Sequence, residues 1–110
     1  MVTVETEATH QVMDALGHQT RRDILALLRE GPLPVGAIAE RLPISRPAVS
    51  KHLRILERAN LVEHQSSGTR NIFYLRASGF QAAQVYIENF WDLALARYKM
   101  VAENFSRGDE

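Results

Sequence analysis

A break of only three residues between two short helical segments limits most strongly how this chain can fold. Residues 35–42 carry apolar side chains at helical spacing, and Pro43 ends that segment. Ser45 then starts a second helix, because its hydroxyl can cap the N-terminus and Pro47 fits the first turn, where a missing N–H costs nothing. The second helix has a buried stripe at helical spacing, formed by Val49, Leu53 and Leu56. The two segments therefore predict a helix-turn-helix pair.

Two further helices are predicted before this pair. Residues 8–16 have an amphipathic pattern that Gly17 ends, and residues 21–30 form the next apolar segment. Thr20 is predicted to cap the second helix, with Asp23 three residues later as in a capping box. The predicted order up to residue 60 is thus four helices, of which the last two are joined by the tight turn.

The pattern after the fourth helix changes to short strands and then back to a helix. Residues 61–65 and 71–76 are typical of strands, and residues 66–70 between them are a polar, glycine-containing hairpin loop. One long helix is predicted over residues 80–105. The sequence thus predicts a mainly α-helical fold with a small β-hairpin wing, that is, a winged helix-turn-helix with a long terminal helix.

The long helix carries more apolar surface than so small a chain can cover. Apolar positions alternate four and three residues apart along one seam, formed by Ile87, Trp91, Ala94, Tyr98, Val101 and Phe105. Further apolar residues, Phe90, Leu93, Leu95 and Met100, lie outside that seam. The excess predicts a homodimer, in which Val12 and Leu16 of the first helix join the seam. We therefore interpret the long helix as a dimerisation helix.

Length and composition favour one domain of 110 residues. Within it we expect the helix-turn-helix at about 35–60, the wing at 61–76 and the dimerisation helix at 79–105. The chain has no cysteine, which excludes disulfides, thiolate metal sites and thiol redox switches. No apolar run approaches the ~20 residues of a membrane span, and the polar N-terminus is unlike a signal peptide. We expect a soluble, cytoplasmic protein with no membrane partner.

Charge is unevenly distributed although the formal net charge is zero. Residues 41–76 hold seven basic and two acidic side chains, a net charge of +5, whereas residues 1–40 sum to −3 and residues 77–110 to −2. Most of these cations fall on the fourth helix and the hairpin. Positive charge concentrated on two adjacent elements is typical of a surface that binds a polyanion.

The fourth helix is the element predicted to read DNA. The major groove admits one α-helix, and the second helix of a helix-turn-helix pair presents its N-terminal residues to base edges. Arginine pairs bidentately with guanine, serine reaches a base or a phosphate, and lysine suits phosphate. A basic residue at the hairpin tip would touch the DNA backbone or minor groove. The predicted DNA-binding residues are Ser45, Arg46, Pro47, Ser50, Lys51, Arg54 and Arg70.

Three stretches of the sequence resemble the arsenic-repressor (ArsR) family of bacterial and archaeal winged-helix transcriptional repressors. They are ALGHQTRRDIL at 15–25, ISRPAVSKHLRIL at 44–56 and ANLV at 59–62, and the resemblance extends over nearly the whole chain. It implies a homodimer that binds a palindromic operator in double-stranded DNA and represses its own or neighbouring genes. It also implies that the recognition helix begins at Ser45 and that the first and last helices form the dimer.

The sequence departs from the metal-sensing members of that family. Those members carry Cys-x-Val-Cys at the start of the first helix of the pair, where this chain has Pro34, Val35 and Gly36. Other members bind zinc through Asp and His on the last helix, but residues 80–105 contain no histidine. We therefore expect neither a metal site nor a cofactor.

The histidines are weak candidates for metal ligands. His10, Asp14 and His18 stand at i, i+4 and i+8, but Gly17 is expected to end the helix before His18. His52, within the fourth helix, is interpreted as a structural or phosphate-facing residue rather than a ligand.

Two alternatives to an operator-binding repressor remain open, and neither is an enzyme. Phe90, Trp91 and Tyr98 could line a small-molecule pocket between the long helices, although a dimer core is favoured. The winged helix could instead bind a protein. No enzyme is expected, because the chain lacks a P-loop, GxGxxG and HExxH, and Ser50 and His52 have the wrong spacing for a nucleophile and base on one helix.

Overall fold

The computed structural model describes residues 7–108, with side chains from residue 7 to residue 105. In chain order its elements are α1 (Glu7–Leu16), α2 (Gln19–Leu28), β1 (Leu33–Pro34), α3 (Val35–Glu40), α4 (Arg46–Arg58), β2 (Val62–Ser67), β3 (Arg70–Leu75) and α5 (Ala77–Gly108). The predicted fold class is confirmed: the structure is mainly helical, with a small antiparallel sheet and a long last helix.

Strands β2 and β3 reach closer to the hairpin tip than the sequence pattern predicts. They pair from Val62 opposite Leu75 to Ser67 opposite Arg70, which leaves only two residues for the turn instead of the five predicted. The first of the two, Gly68, has φ +64°, a conformation that glycine adopts without strain in tight hairpin turns. The two strands of the wing therefore stay paired up to the tip of the hairpin.

Strand β1 is a third strand that sequence analysis did not predict. Leu33 and Pro34 pair with Phe73 and Ile72, so the strand order is β1-β3-β2. A strand of two residues has no alternating pattern to detect, and Pro34 is tolerated because β1 lies at the edge of the sheet. Helix α3 begins directly after β1, which ties the start of the helix-turn-helix pair to the wing.

His18 caps helix α2, so the prediction of Thr20 as N-cap is wrong. The Nδ1 atom of His18 accepts the backbone N–H of Thr20 at 3.2 Å, and the helix begins at Gln19. A neutral imidazole nitrogen can accept a hydrogen bond in the way a Ser or Thr oxygen does, but histidine lies outside the usual N-cap set.

One hydrophobic core is shared by helices α1, α2, α3 and α4 and by the wing. Its buried side chains are Val12, Ala15, Ile24, Leu25, Leu28, Ile38, Val49, Leu53, Leu56, Ala59, Leu61, Val62 and Phe73. Helix α5 adds Phe80, Ala82 and Ala83, which are partly buried against this core where α5 packs on α1. Val12, predicted to face a second copy, is 1% exposed and packs inside its own chain.

The C-terminal end of α4 is closed by a Schellman motif. Asn60 has φ +62°, in the left-handed region that asparagine tolerates better than most residues. The Leu61 N–H donates to the Leu56 carbonyl and the Asn60 N–H to the Glu57 carbonyl, both at 3.0 Å. The Asn60 carbonyl then accepts the Gly79 N–H at 2.9 Å. This bond attaches the first turn of α5 to the end of α4.

Gly79 is required at that contact because the two backbones approach closely. A Cβ atom at Gly79 would lie 2.6 Å from the carbonyl oxygens of both Ala59 and Asn60. Helix α5 begins at Ala77, three residues earlier than predicted, although glycine is a poor helix former. The close approach explains why a glycine stands in the first turn of a long helix.

We predict that Gly79→Ala separates α5 from α4 and lowers the free energy of unfolding by about 1–3 kcal/mol, the usual cost of overpacking. The measurement is urea denaturation followed by circular dichroism. Gly17→Ala is the matched control, since its Cβ would be 3.4 Å from the nearest atom, an ordinary contact. Equal stability of the two variants would contradict the account of Gly79.

Candidate nucleic-acid interface

Helix α4 presents opposite faces to the core and to solvent. The Oγ atom of Ser45 accepts the Ala48 N–H at 3.2 Å and Pro47 lies in the first turn, so the predicted start of this helix is confirmed. Its buried stripe, Val49, Leu53 and Leu56, is 0% exposed. At about 100° per residue, the opposite face is formed by Pro47, Lys51, Arg54 and Arg58, all exposed.

Arg46 and Ser50 lie beside this outward face and line a cleft. The cleft has a volume of about 510 Å³ and lies between α3, the start of α4 and the hairpin tip. The Arg46 guanidinium lies against Gly36 of α3, where an added Cβ would be 3.7 Å from its Nη1 atom. The lining residues are Pro34, Val35, Gly36, Ala37, Glu40, Arg46, Ser50, Thr69, Arg70 and Asn71. Arginines from two elements therefore line one cleft, with Glu40 as its acidic member.

The wing supplies Arg70 to this cleft. Arg70 is exposed and pairs with Ser67 across the two-residue turn, which fixes it at the tip of the hairpin. The structure thus brings Arg46, Ser50 and Arg70 together, although they come from segments that are far apart in sequence. Lys51 and Arg54 face outward from the adjacent surface of α4.

Several residues of this surface were not predicted from the sequence. Arg58 continues the spacing of Pro47, Lys51 and Arg54 along one helix face, so its position was available from periodicity. Other missed residues are Gly36, Thr69 and Asn71, which join the cleft. No local pattern identifies them, because they meet only when the wing folds beside α3 and α4.

His52 lies on the flank of α4 that faces α2 and is half-buried there. Its Nδ1 atom is 3.3 Å from Nη1 of Arg21, and its ring centroid is 4.8 Å from that of His18. Burial lowers the pKa of His52, and the nearby His18, Arg21 and Lys51 lower it further. The side chain of His52 therefore has specific partners within the chain, as the structural interpretation expects.

No three His, Cys, Asp or Glu side chains lie close enough to share a metal ion within residues 7–105. Helix α1 ends at Leu16, so His18 lies beyond the helix that carries His10 and Asp14. The Nδ1 atom of His18 is instead occupied by the N–H of Thr20.

The distal part of α5 is an apolar surface without cover in the single chain. From Val85 to Phe105, ten large apolar side chains are 37–71% exposed, and Trp91 is 62% exposed. All the predicted dimer residues on α5 lie in this segment, and Leu16 of α1 is half-buried. None of the helices in the described part of the chain is long and apolar enough to span a membrane.

Known proteins are similar to this chain in both sequence and fold. Residues 16–65 match a helix-turn-helix domain family. The HTH-type transcriptional regulator Rv2034 of Mycobacterium tuberculosis is 43% identical over 96 residues, which cover 87% of this chain and 88% of that protein. An ArsR-like transcriptional regulator from Rhodococcus sp. RHA1 is similar in structure, with a TM-score of 0.75 and 33% identity over 94% of this chain and 98% of that chain.

A third similar protein is the homodimeric winged helix-turn-helix DNA-binding domain of a possible ArsR-family regulator from Mycobacterium bovis. It has a TM-score of 0.64 and 28% identity, over 79% of this chain and 82% of that chain. The likeness to these proteins spans the helix-turn-helix pair and the wing. This chain belongs to the ArsR family of winged helix-turn-helix transcriptional regulators.

Proposed function

We propose that the protein is a cytoplasmic transcriptional repressor that binds an inverted-repeat operator as a homodimer. The observation that carries the proposal is the pairing of two surfaces on one small chain. One is the basic face of α4 with its neighbouring cleft, and the other is the uncovered apolar face of α5. The first suits a polyanion and the second a copy of the same helix.

On this proposal the outward face of α4 enters the major groove. Arg54 and Lys51 extend from that face, where an arginine can read a guanine and a lysine can neutralise a phosphate. Pro47 and Ser45 lie at the helix start, close to the base edges and the DNA backbone. The fourth helix thus supplies base contacts from its first three turns.

Arg46 and Arg70 are assigned to the DNA backbone. Both line the cleft between α4 and the wing, set back from the outward face, with Ser50 at its border. A phosphate seated at the mouth of this cleft would meet two guanidinium groups. These contacts give affinity and register, whereas Arg54 gives specificity.

The dimer is assigned to α5 with support from α1. Ile87, Trp91 and Tyr98 lie on one face of α5, continued by Ala94, Val101 and Phe105, and we assign Leu16 of α1, which is half-buried, to the same interface. We expect two-fold pairing of these faces to place the two recognition helices about 34 Å apart, because successive major grooves on one side of DNA have that spacing. The operator is then an inverted repeat with the same spacing.

We predict that Arg54→Ala weakens binding to the operator by about 1–3 kcal/mol and relaxes its sequence preference, because a base contact is lost. Arg70→Ala should instead weaken operator and shuffled DNA alike and lower the salt dependence by about one phosphate contact. Fluorescence anisotropy at several salt concentrations measures both effects.

The matched control for these variants is Arg29→Ala, which removes an exposed arginine after α2, outside the proposed DNA surface. It should bind as the unmodified chain does. If Arg54→Ala and Arg70→Ala also leave DNA affinity unchanged, α4 and the wing are not the DNA-binding surface, as expected if the winged helix binds a protein.

A second prediction concerns the dimer. Trp91→Asp buries a charge in the apolar interface and should convert the dimer to a monomer at micromolar concentration, with loss of operator affinity. Sedimentation velocity measures the mass. Asn89→Asp is the control, since it adds the same charge on the opposite side of α5. A monomeric unmodified chain, or monomeric Trp91→Asp with full operator affinity, rules out this assignment.

Metal control is not part of the proposal. The chain has no cysteine, and the proposed recognition and dimer surfaces use no metal ligand. We predict that stoichiometric zinc, nickel or arsenite shifts operator affinity by less than tenfold, measured against a chelator-treated sample. A larger shift would show that a metal site forms in the dimer.

A further inference from the structure

Arg21 connects two helices through a single side chain. Its Nε atom donates to the Ala15 carbonyl at 2.9 Å and its Nη2 atom to the Asp14 carbonyl at 3.2 Å, both in the last turn of α1. Its Nη1 atom lies 3.3 Å from Nδ1 of His52, in the middle of α4. A guanidinium is planar and donates in fixed directions, so this one group adds a directional link between α4 and the end of α1 to the packing of the core.

The contact between Arg21 and His52 requires a neutral imidazole. Guanidinium nitrogens only donate, so Nδ1 of His52 is the acceptor and the ring proton lies on Nε2. A protonated ring has an N–H at both nitrogens and no acceptor. It would also place one cation directly against another. Protonation of His52 therefore breaks the link between α1 and α4.

The surroundings of His52 hold its pKa below the ordinary value of 6.5. Burial is the main cause, followed by His18, Arg21 and Lys51, which come from the α1–α2 connection, α2 and α4. Helix α1 faces the cluster with the backbone carbonyls that hold Arg21. At neutral pH the ring is therefore the hydrogen-bond acceptor that Arg21 needs.

Ionisable groups of α3 and β2, which also pack on α4, have other surroundings. Glu40 of α3 lines the cleft beside the wing. His64 of β2 is paired with Glu57, with 2.7 Å between Nδ1 and Oε2. Acid therefore acts on the link to α1 through His52.

The sign of the effect follows from the lowered pKa. The folded chain takes up the His52 proton at a lower pH than the unfolded chain does. The contribution of the link is thus complete above about pH 6.5 and is lost as the pH falls through the lowered pKa of His52.

The contact between Arg21 and His52 lies midway along α4, where it can fix the direction of the helix axis. The C-terminal end of α4 is already attached to α5 through the bond from Gly79 to Asn60. His52 lies about 12 Å along the helix from that end and Arg46 about 21 Å. A tilt about the fixed end therefore displaces the N-terminal residues of α4 furthest, and those are the residues assigned to DNA.

We propose that Arg21 is a positioning residue for DNA recognition, which fixes the direction of α4 through a neutral His52, and that acid releases operator DNA by protonating this ring. The inference rests on the proposed function, since it takes α4 to be the helix that enters the operator. It predicts loss of sequence-specific binding in acid. Added positive charge acts in the opposite direction, because it strengthens attraction to any DNA.

The test compares two duplexes of equal length and composition. One is enriched by the unmodified protein from a random pool at pH 7.5, and the other is its shuffled version. We expect the ratio of the two affinities to fall as the pH is lowered from 7.5 through the lowered pKa of His52, with no fall in affinity for the shuffled duplex. His52→Gln keeps an acceptor for Arg21 and does not titrate, so its ratio should stay constant over this range.

Arg21→Gln and Arg22→Gln are matched variants that separate positioning from helix capping. Each removes one positive charge and hydrogen bonding to the end of α1: Arg21 donates two such bonds, and Arg22 donates one, to the Leu16 carbonyl at 2.8 Å rather than to His52. Arg21→Gln should lower the ratio about tenfold already at pH 7.5 and leave it insensitive to pH. Arg22→Gln should keep the ratio and pH profile of the unmodified chain.

Three results would overturn the inference: a ratio that stays constant in acid for the unmodified chain, a fall that persists in His52→Gln, or an unchanged ratio in Arg21→Gln. A random pool from which no duplex is enriched would instead reject the proposed function itself. An enriched duplex with a flat pH profile rejects only the role of Arg21 and His52.

Discussion

The contact between the first turn of α5 and the end of α4 determines how the two proposed surfaces are related. Asn60 ends α4 in the left-handed conformation, and its carbonyl accepts the N–H of Gly79 at 2.9 Å. Only glycine permits this approach, because any Cβ would meet two carbonyl oxygens at 2.6 Å. The basic helix and the long apolar helix are therefore joined backbone to backbone. A dimer formed through α5 would consequently set the separation of the two DNA-reading helices.

Charge and exposed apolar surface are distributed between the same two parts of the molecule, α4 with the wing and α5. The chain is neutral overall, but its net positive charge is concentrated in residues 41–76, which include α4 and the wing, while the exposed apolar side chains are concentrated on α5. The cleft beside Arg46 and Arg70 adds a concave basic border to the convex outward face of α4. A convex face suits a groove and a basic border suits the phosphates beside it. Each surface thus has one physical property that suits one kind of partner.

Local signals in the sequence predicted the parts of the fold that depend on neighbouring residues. Ser45 and Pro47 marked the start of α4, and the spacing of Val49, Leu53 and Leu56 marked its buried face.

Strand β1 was not predicted, because two residues form a strand only when the wing is already beside them. The direction of Arg46 into the cleft and the link from Arg21 to His52 were also missed. Both depend on packing between elements distant in sequence, which periodicity cannot report. Histidine as the cap of α2 was missed because it is a rare choice at that position.

The most direct test of a two-fold symmetric complex is a hydroxyl-radical footprint of the protein on a duplex enriched from a random pool. Hydroxyl radicals cut each sugar of the DNA backbone, so the footprint reports the positions of both recognition helices at single-nucleotide resolution. The account predicts two protected regions on one face of the duplex, related by two-fold symmetry and centred about 34 Å apart. A single protected region, or two regions in direct repeat, would contradict a homodimer joined through α5.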